Sequence, residues 1–316
     1  METLPDTAQN VFHHAVWLAG KTGARLTFLS AIDLTAILLD DLTENNRLVL
    51  TRTIDADAGR VLTELVRQAK EQGVEAESIF VHGKGWLELI QQVSRGRHDL
   101  LLVGARALNG ADVRRILMGS TAQKLVRRCP CPVWVTRPGP LDQPLNVLVA
   151  NDLKPVSEPA LRLAVELGQA LDANLHLLHV AEYPLFSLCL TSLPDEIGPD
   201  YQNKVRARAE QTLRAQLDQA TLGVSTKPIQ VHLMDCIRNP DESILQFIKE
   251  HQIDLLIMGS VGRSGVAGIM IGNAAERLLP NVTCSVLVVK PPDFVCPICD
   301  NLLDASNAPA DGSQAD

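Results

Sequence analysis

A glycine-rich segment after an apolar run is the part of this sequence best suited to binding chemistry. Gly259 and Gly262 follow the run, and Gly272 ends the segment where a helical pattern begins at Asn273. Glycine lets a backbone approach a ligand closely and adopt positive φ, while the free N–H groups at a helix start attract anions. This geometry suits a chain of phosphates.

A carboxylate is predicted to face the same crevice. The apolar run Asn146–Ala150 ends at Asn151 and Asp152, and ligands of open parallel sheets bind at the carboxyl ends of the strands. Asp152 can accept a hydrogen bond from a base amine or a ribose hydroxyl. A plain connecting loop would explain the glycines equally well. The Walker A pattern and a dinucleotide fingerprint after the first strand do not occur, which excludes those two nucleotide sites.

The chain repeats itself, so each half must be interpreted against the other. Three pairs of segments match: Ala15–Ala31 with Ala164–Val180, His98–Ala105 with Ile253–Ser260, and Gly119–Pro138 with Gly272–Pro291. Each half alternates apolar runs with helical patterns, which predicts parallel strands joined by helices. The fold class is therefore α/β, with two tandem doubly wound parallel-sheet domains.

The second half shows this order most clearly. Its predicted helices begin with one capped by Ser157, with Pro159 in the first turn. The remaining predicted elements are strands at 146–150, 175–180, 229–234, 254–258 and 284–289, and helices at 201–220, 240–251 and 272–279.

The first half lacks one element of the repeat. The position matching Asp152 is Thr3, so the sequence begins where the first strand would already have ended. Because that strand is central in a doubly wound sheet, two strand pairs would be left without a backbone partner between them. Three explanations are open: a start further upstream, a segment supplied by the other half or another chain, or a degenerate half. We favour the first two.

These patterns divide the chain into four parts. Residues 1–138 form a degenerate first domain that lacks its first strand, and 139–145 form a proline-rich linker. Residues 146–292 form the nucleotide-binding domain, and residues 293–316 form a tail predicted to be disordered.

The glycine spacing, the VLVA–Asp strand before it and the CxVLVVK-type strand after it resemble the universal stress protein family, in particular its tandem E-type members. The resemblance implies the adenine nucleotide alpha hydrolase-like fold and an ATP site. It implies that Asp152 contacts adenine, that Gly259 and Gly262 pass against ribose and phosphate, and that Gly272, Asn273 and Ala274 offer backbone N–H groups to the phosphates. It further implies site positions at Asn151, Val180, Met258 and Ala275. Asn273 stands where the family has Ser or Thr.

The first half departs further from this pattern. Gly104 is kept, but Ala107 replaces the second glycine, and the stretch up to Gly119 is two residues longer and contains two arginines. Gly119-Ser120-Thr121 preserves the phosphate end. We therefore expect no ATP site here, although a weaker anion site at Gly119–Thr121 stays open.

Composition excludes several classes of protein. The net charge of −8 disfavours nucleic acid and anionic membranes, and no apolar run reaches about 18 residues. The polar, acidic start is unlike a secretory signal, which predicts a cytoplasmic protein. Cys296 and Cys299 are interpreted as free thiols in a mobile tail rather than as a zinc site, and Cys129, Cys131 and Cys284 as buried thiols.

The predicted function is a stress response in which the second domain binds ATP, with Mg²⁺ as a candidate companion ion, as a sensing ligand. One alternative is a carrier of an apolar, lipid-like molecule that uses the loop 183–194. Another is a slow ATPase or phosphotransfer protein, but phosphoryl transfer needs a positioned base and a metal clamp, which the sequence does not show. The two halves are expected to pair through their last strands as a single-chain pseudo-dimer, and homodimers stay open.

Overall fold

The computed structural model describes residues 6–34, 43–105, 119–137, 144–183, 185, 198–236, 239–260, 273–296 and 298. The first half consists of helix α1 (Asp6–Thr22), strand β1 (Leu26–Ile32), α2 (Glu44–Glu71), β2 (Ala76–His82), α3 (Gly85–Gly96), β3 (Leu101–Gly104), α4 (Ser120–Arg128) and β4 (Val133–Thr136). Strand and helix alternate as the sequence predicted.

The second half repeats this order with one strand more. It consists of β5 (Asn146–Ala150), α5 (Ser157–Leu171), β6 (Asn174–Glu182), α6 (Gly198–Ala220), β7 (Gln230–Cys236), α7 (Pro240–Glu250), β8 (Leu255–Gly259), α8 (Asn273–Leu278) and β9 (Ser285–Val289). The predicted strands of this half lie within two residues of these bounds. The α/β fold with parallel sheets in two domains is confirmed.

One sheet runs through both halves. Its seven strands lie in the order β3-β4-β9-β8-β5-β6-β7, and every neighbouring pair is parallel except β4 and β9. These two strands, the last of each half, are antiparallel, with Trp134 opposite Leu287. The halves are thus joined by backbone hydrogen bonds.

The remaining two strands of the first half form a separate sheet. β1 pairs with β2 in parallel, from Leu26 opposite Ala76 to Ile32 opposite His82. In the second half, β5 lies between the equivalent strands β6 and β8. Within the described residues no strand lies between β1 and β3, and a cavity of about 800 Å³ between them is lined by α1, α2 and α3.

Helices cover both faces of the large sheet, so its strands are buried on both sides. One core lies under α3, α4, α7 and α8, and the other lies under α5 and α6, where Trp134 is buried. All five residues of β9 are buried. No helix in the part of the chain that the structure describes is long and apolar enough to cross a membrane.

Two predictions are wrong in detail. Ser157 does not cap α5: the N-cap is Val156, and the Ser157 hydroxyl bonds to Asp152 instead. Cys296 was predicted to be a thiol in a mobile tail, but it is 6% exposed and belongs to the core under α3, α4, α7 and α8. Apolar neighbours such as Phe294 explain this burial, since they continue the core beyond β9. Cys299 lies outside the described residues.

Candidate functional site

A cavity of about 230 Å³ opens at the carboxyl ends of β5 and β8. These neighbouring strands send their helices to opposite faces of the sheet, since α5 packs in one core and α8 in the other. This is the point where the winding of the sheet reverses, and where open α/β sheets bind their ligands. Six of the predicted site residues line the cavity: Asn151, Asp152, Val180, Met258, Gly259 and Ala275.

The other predicted positions follow β8. Gly262 and Gly272 lie outside the described residues. Asn273 and Ala274 form the first turn of α8, the helix that contributes Ala275 to the cavity. The start of this helix is therefore at the cavity.

Asn151 holds the turn that follows β5. Its side chain is buried; its Nδ2 donates to Gln216 Oε1 at 3.0 Å, and its Oδ1 accepts from the Leu153 N–H at 2.7 Å. Leu153 has a φ of 61°, a left-handed conformation that this hydrogen bond supports. Because its polar side-chain atoms are both engaged, Asn151 shapes the cavity wall.

Asp152 lies in a local hydrogen-bond network. Its Oδ1 accepts from the Ser157 hydroxyl at 2.6 Å and the Lys154 N–H at 3.1 Å, and its Oδ2 lies 3.0 Å from Lys154 Nζ. Burial by itself raises the pKa of Asp152, but the hydrogen bonds from Ser157 and Lys154 outweigh it, and the pKa is lowered. Asp152 is thus an anionic acceptor at the wall of the cavity.

Close packing against the start of α5 leaves no room for a side chain at Gly259. A Cβ atom at this position would lie 2.9 Å from the carbonyl oxygen of Val156, at the start of α5. In the first half a Cβ on Gly104 would meet Thr7, the repeat equivalent of Val156, with 2.5 Å to its Cγ2. Both glycines therefore let the end of a strand pass the start of a helix, and Gly104 needs no ligand to explain it.

Asp241 is a cavity residue that the sequence analysis missed. It lies in the first turn of α7, its side chain is 7% exposed, and its Oδ2 accepts from Arg277 Nε. Among the described residues its buried Oδ1 has no hydrogen-bond partner. A buried carboxylate oxygen without a partner is costly, so Oδ1 is open to a further hydrogen-bond donor. The signal available in the sequence was Asn239-Pro240-Asp241, a helix start directly after β7.

His179 connects this cavity to a second one. Its Nδ1 lies 2.8 Å from the carbonyl oxygen of Asn151, and its ring lines both spaces. The second cavity, of about 650 Å³, lies between the end of β6 and α6, and α6 contributes Lys204 and Arg208. The neighbouring cavity is thus lined by cationic side chains.

Mg²⁺ was predicted as a candidate companion ion of ATP. Among the described residues, no group of three His, Cys, Asp or Glu side chains is arranged to hold a metal ion. Because Mg²⁺ is usually held by one or two carboxylates together with phosphate oxygens, its presence beside ATP stays a prediction.

The corresponding region of the first half is described only in part. Ala107 and the arginines that follow it lie outside the described residues. Gly119 is the N-cap of α4, where no side chain caps the helix, and Ser120 is its first residue. The anion site at Gly119–Thr121 stays a prediction.

The family comparison matches both halves separately. The model of the "Universal stress protein family" matches residues 3–137 and 145–290. Universal stress protein E of Escherichia coli K12 is 24% identical over 301 residues, covering 92% of both chains. The Salmonella typhi protein of the same name is 23% identical over the same extent.

Solved structures share the fold along the same extent. A universal stress protein from Archaeoglobus fulgidus DSM 4304 superposes with a TM-score of 0.62 at 22% identity, covering 91% of this chain and 96% of its own. A protein from Pseudomonas aeruginosa PAO1 gives a TM-score of 0.61 at 20% identity, with 91% and 98% covered. At these identities the likeness concerns the fold alone.

Proposed function

The chain belongs to the universal stress protein family, as a tandem member of E type, and from that premise we propose that its second half binds an adenine nucleotide as a sensing ligand in a stress response. One observation carries the proposal. The cavity at the reversal point of the sheet collects Asp152 and Gly259 with the helix that follows the glycine-rich segment. Each element had been singled out independently in the sequence.

The proposed contacts follow from the chemistry of the lining groups. Asp152 accepts a hydrogen bond from the adenine amine or a ribose hydroxyl, in exchange for its contact with Lys154. Asp241 Oδ1 accepts a second hydrogen bond, from a ribose hydroxyl, and so gains the partner that it lacks among the described residues. The backbone N–H groups of Gly272, Asn273 and Ala274 meet the phosphates at the start of α8.

Calorimetric titration of the full chain with ATP tests this proposal. We expect saturation near one nucleotide per chain, because the first half has Ala107, a longer loop and no equivalent of Asp152. Asp152→Ala should weaken binding by about tenfold or more, the effect of one charge-assisted hydrogen bond. Asp172→Ala is the matched control, because this exposed aspartate pairs with Lys227 away from the cavity. Equal losses in both variants would contradict the proposed site.

A second pair of variants tests the glycine spacing. Gly262→Val should abolish ATP binding and leave the fold intact, because a side chain there would occupy the space of the ligand. Gly268→Val, in the same segment but outside the three-glycine spacing, should keep the affinity. A folded Gly262→Val protein with unchanged affinity would refute the assignment.

A second candidate function is the carriage of an apolar small molecule. The cavity of about 800 Å³ beside α1 is lined mainly by apolar side chains such as Phe12, Leu29 and Leu65, and its size is that of a ligand pocket. The loop 183–194, where the sequence suggested such a site, lies almost entirely outside the described residues. Native mass spectrometry of the freshly purified chain separates the candidates, because a retained nucleotide and a retained lipid-like molecule differ in mass. Phosphate release from ATP would identify the remaining alternative, a slow ATPase.

A further inference from the structure

Two cysteines meet where the two halves join. Helix α4 ends at Arg128, Cys129 is its C-cap, and Cys131 comes two residues before β4. Their Sγ atoms lie 3.5 Å apart, and both residues are buried, with Cys131 keeping 7% of its surface exposed. Closing this separation to a bonded length of about 2.05 Å takes a side-chain movement of less than 2 Å.

A buried lysine from the other half lies beside this pair. Lys290 follows β9 directly, is 6% exposed, and donates from Nζ to the carbonyl oxygen of Val126 in the last turn of α4. Its Nζ also lies 4.7 Å from the centre of the Phe294 ring. Burial lowers the pKa of Lys290 to about 8, against the opposing effect of Cys129, Cys131 and Cys296. A positive charge in this core favours a thiolate as its counterion.

The two thiols differ in acidity. A hydrogen bond from Cys131 lowers the pKa of Cys129, burial opposes the shift, and Lys290 adds to it. The same contact, together with burial, raises the pKa of Cys131. Cys129 is therefore the first of the two thiols to lose its proton. Its thiolate is the form that reacts with oxidants.

The second half contains an internal control. Cys284 is the repeat equivalent of Cys131, but Val282 stands where the first half has Cys129. Burial raises the pKa of Cys284 to about 12. At this position the first half therefore holds a pair of thiols beside a cation, and the second half holds one thiol of low reactivity.

We propose that Cys129 and Cys131 are a redox-modification site that hydrogen peroxide converts into a reversible disulfide at the junction of the two halves. The Cys129 thiolate attacks one peroxide oxygen; an S–O bond forms, the O–O bond breaks, and hydroxide leaves and takes up a proton. The Cys131 thiol then attacks the sulfenic sulfur; the S–S bond forms, the S–O bond breaks, and water leaves with the Cys131 proton. Two thiols are oxidised and one peroxide is reduced to two waters. Cys129 is 0% exposed and Cys131 is 7% exposed, so an oxidant that reaches the pair has to be as small as hydrogen peroxide.

Peptide mass spectrometry of the peroxide-treated full chain tests this inference. The treated chain is unfolded, alkylated and digested with trypsin, and the fragment that begins after Arg128 contains Cys129 and Cys131 as its only cysteines. We expect this fragment to carry no alkyl group and to be two hydrogen atoms lighter than the dithiol peptide. Reduction with dithiothreitol before alkylation should restore the alkylated dithiol form. Cys284 should be alkylated in full at the same time. Oxidation of Cys284 at the same rate, or a disulfide from Cys131 to Cys296, would overturn the proposal.

Three variants separate the chemistry from a structural effect. Cys131→Ser should leave a sulfenic acid on Cys129 that dimedone traps, because the second sulfur is absent. Lys290→Met should slow oxidation several-fold, because it removes a positive charge that lowers the pKa of Cys129, and Cys284→Ser should leave the rate unchanged. If Lys290→Met does not fold, the two cysteine variants still decide the matter. Independent sulfinic acids on Cys129 and Cys131, with no disulfide, would refute the pairing.

Discussion

Replacing Gly259 by alanine tests whether packing fixes this glycine. The new Cβ would lie 2.9 Å from the Val156 carbonyl oxygen, 3.1 Å from its Cγ2 and 3.3 Å from its carbonyl carbon. Two of these three atoms are backbone, at the start of a helix whose first residues, Ser157 and Ala160, are buried. Because the backbone cannot move without shifting α5, we expect the free energy of unfolding to fall by about 1–3 kcal/mol.

Gly104→Ala in the first half is the matched control. Its Cβ would come closest to two methyl groups, at 2.5 Å from Thr7 Cγ2 and 2.9 Å from Val11 Cγ2. Both side chains line the cavity of about 800 Å³, so their methyl groups have space to turn away. We expect a loss of less than about 1 kcal/mol, which Thr7→Ala should reduce, because it removes the nearer of the two methyl groups.

Urea unfolding followed by circular dichroism measures both effects. Val156→Ala should not rescue Gly259→Ala, because it removes Cγ2 and leaves the carbonyl oxygen in place. A Gly259→Ala protein as stable as the parent would refute the packing argument. If that stable variant had also lost ATP binding, the glycine would be required by the ligand alone.

Three further predictions concern other parts of the molecule. His176, His232 and His251 cluster around Phe247, and burial lowers the pKa of His176 and His232. The unfolded chain therefore binds more protons than the folded chain near the pKa of a free histidine. The free energy of unfolding should fall as the pH drops below about 6.5. His232→Asn should flatten this fall in urea titrations, and an unchanged pH profile would contradict the reasoning. In hydrogen exchange, amides of β1 should exchange faster than those of β8, because one edge of β1 is unpaired within the described residues; equal protection would show that this edge is covered. ATP at about 100 times its Kd should stabilise the chain by about 2.7 kcal/mol, measured as a raised urea midpoint, and no shift would argue against nucleotide binding.

The order of elements was predictable because it depends on local pattern. Buried parallel strands appear as continuous apolar runs, and the two copies of the repeat confirmed each other's boundaries. The N-cap at Val156 was not predictable, because Ser157 is a better cap by type and only its contact with Asp152 shows its actual role. The burial of Cys296 depends on packing against distant elements, which a tail-like composition conceals.

The candidate site was predictable in outline and not in its contacts. Glycine spacing and a strand-end aspartate were enough to locate the crevice, because the topology of a parallel sheet brings strand ends together. Asp241 was missed because its burial and its pairing with Arg277 arise from two helices that are far apart in the sequence. The packing role of Gly259 was missed for the same reason, since it depends on the backbone of Val156.

The antiparallel register of β4 and β9 gives the molecule an approximate twofold axis. Trp134 lies opposite Leu287, its own repeat equivalent, while Val133 lies opposite Val288 and Val135 opposite Val286. This is the isologous pattern of a symmetric dimer. Every contact in such an interface occurs twice, except the contact on the axis, which occurs once. In a dimer of identical chains the axial residue must face itself, so a tryptophan there would meet a tryptophan. Joining both copies in one chain removes that constraint, and the axis can hold one large and one smaller side chain.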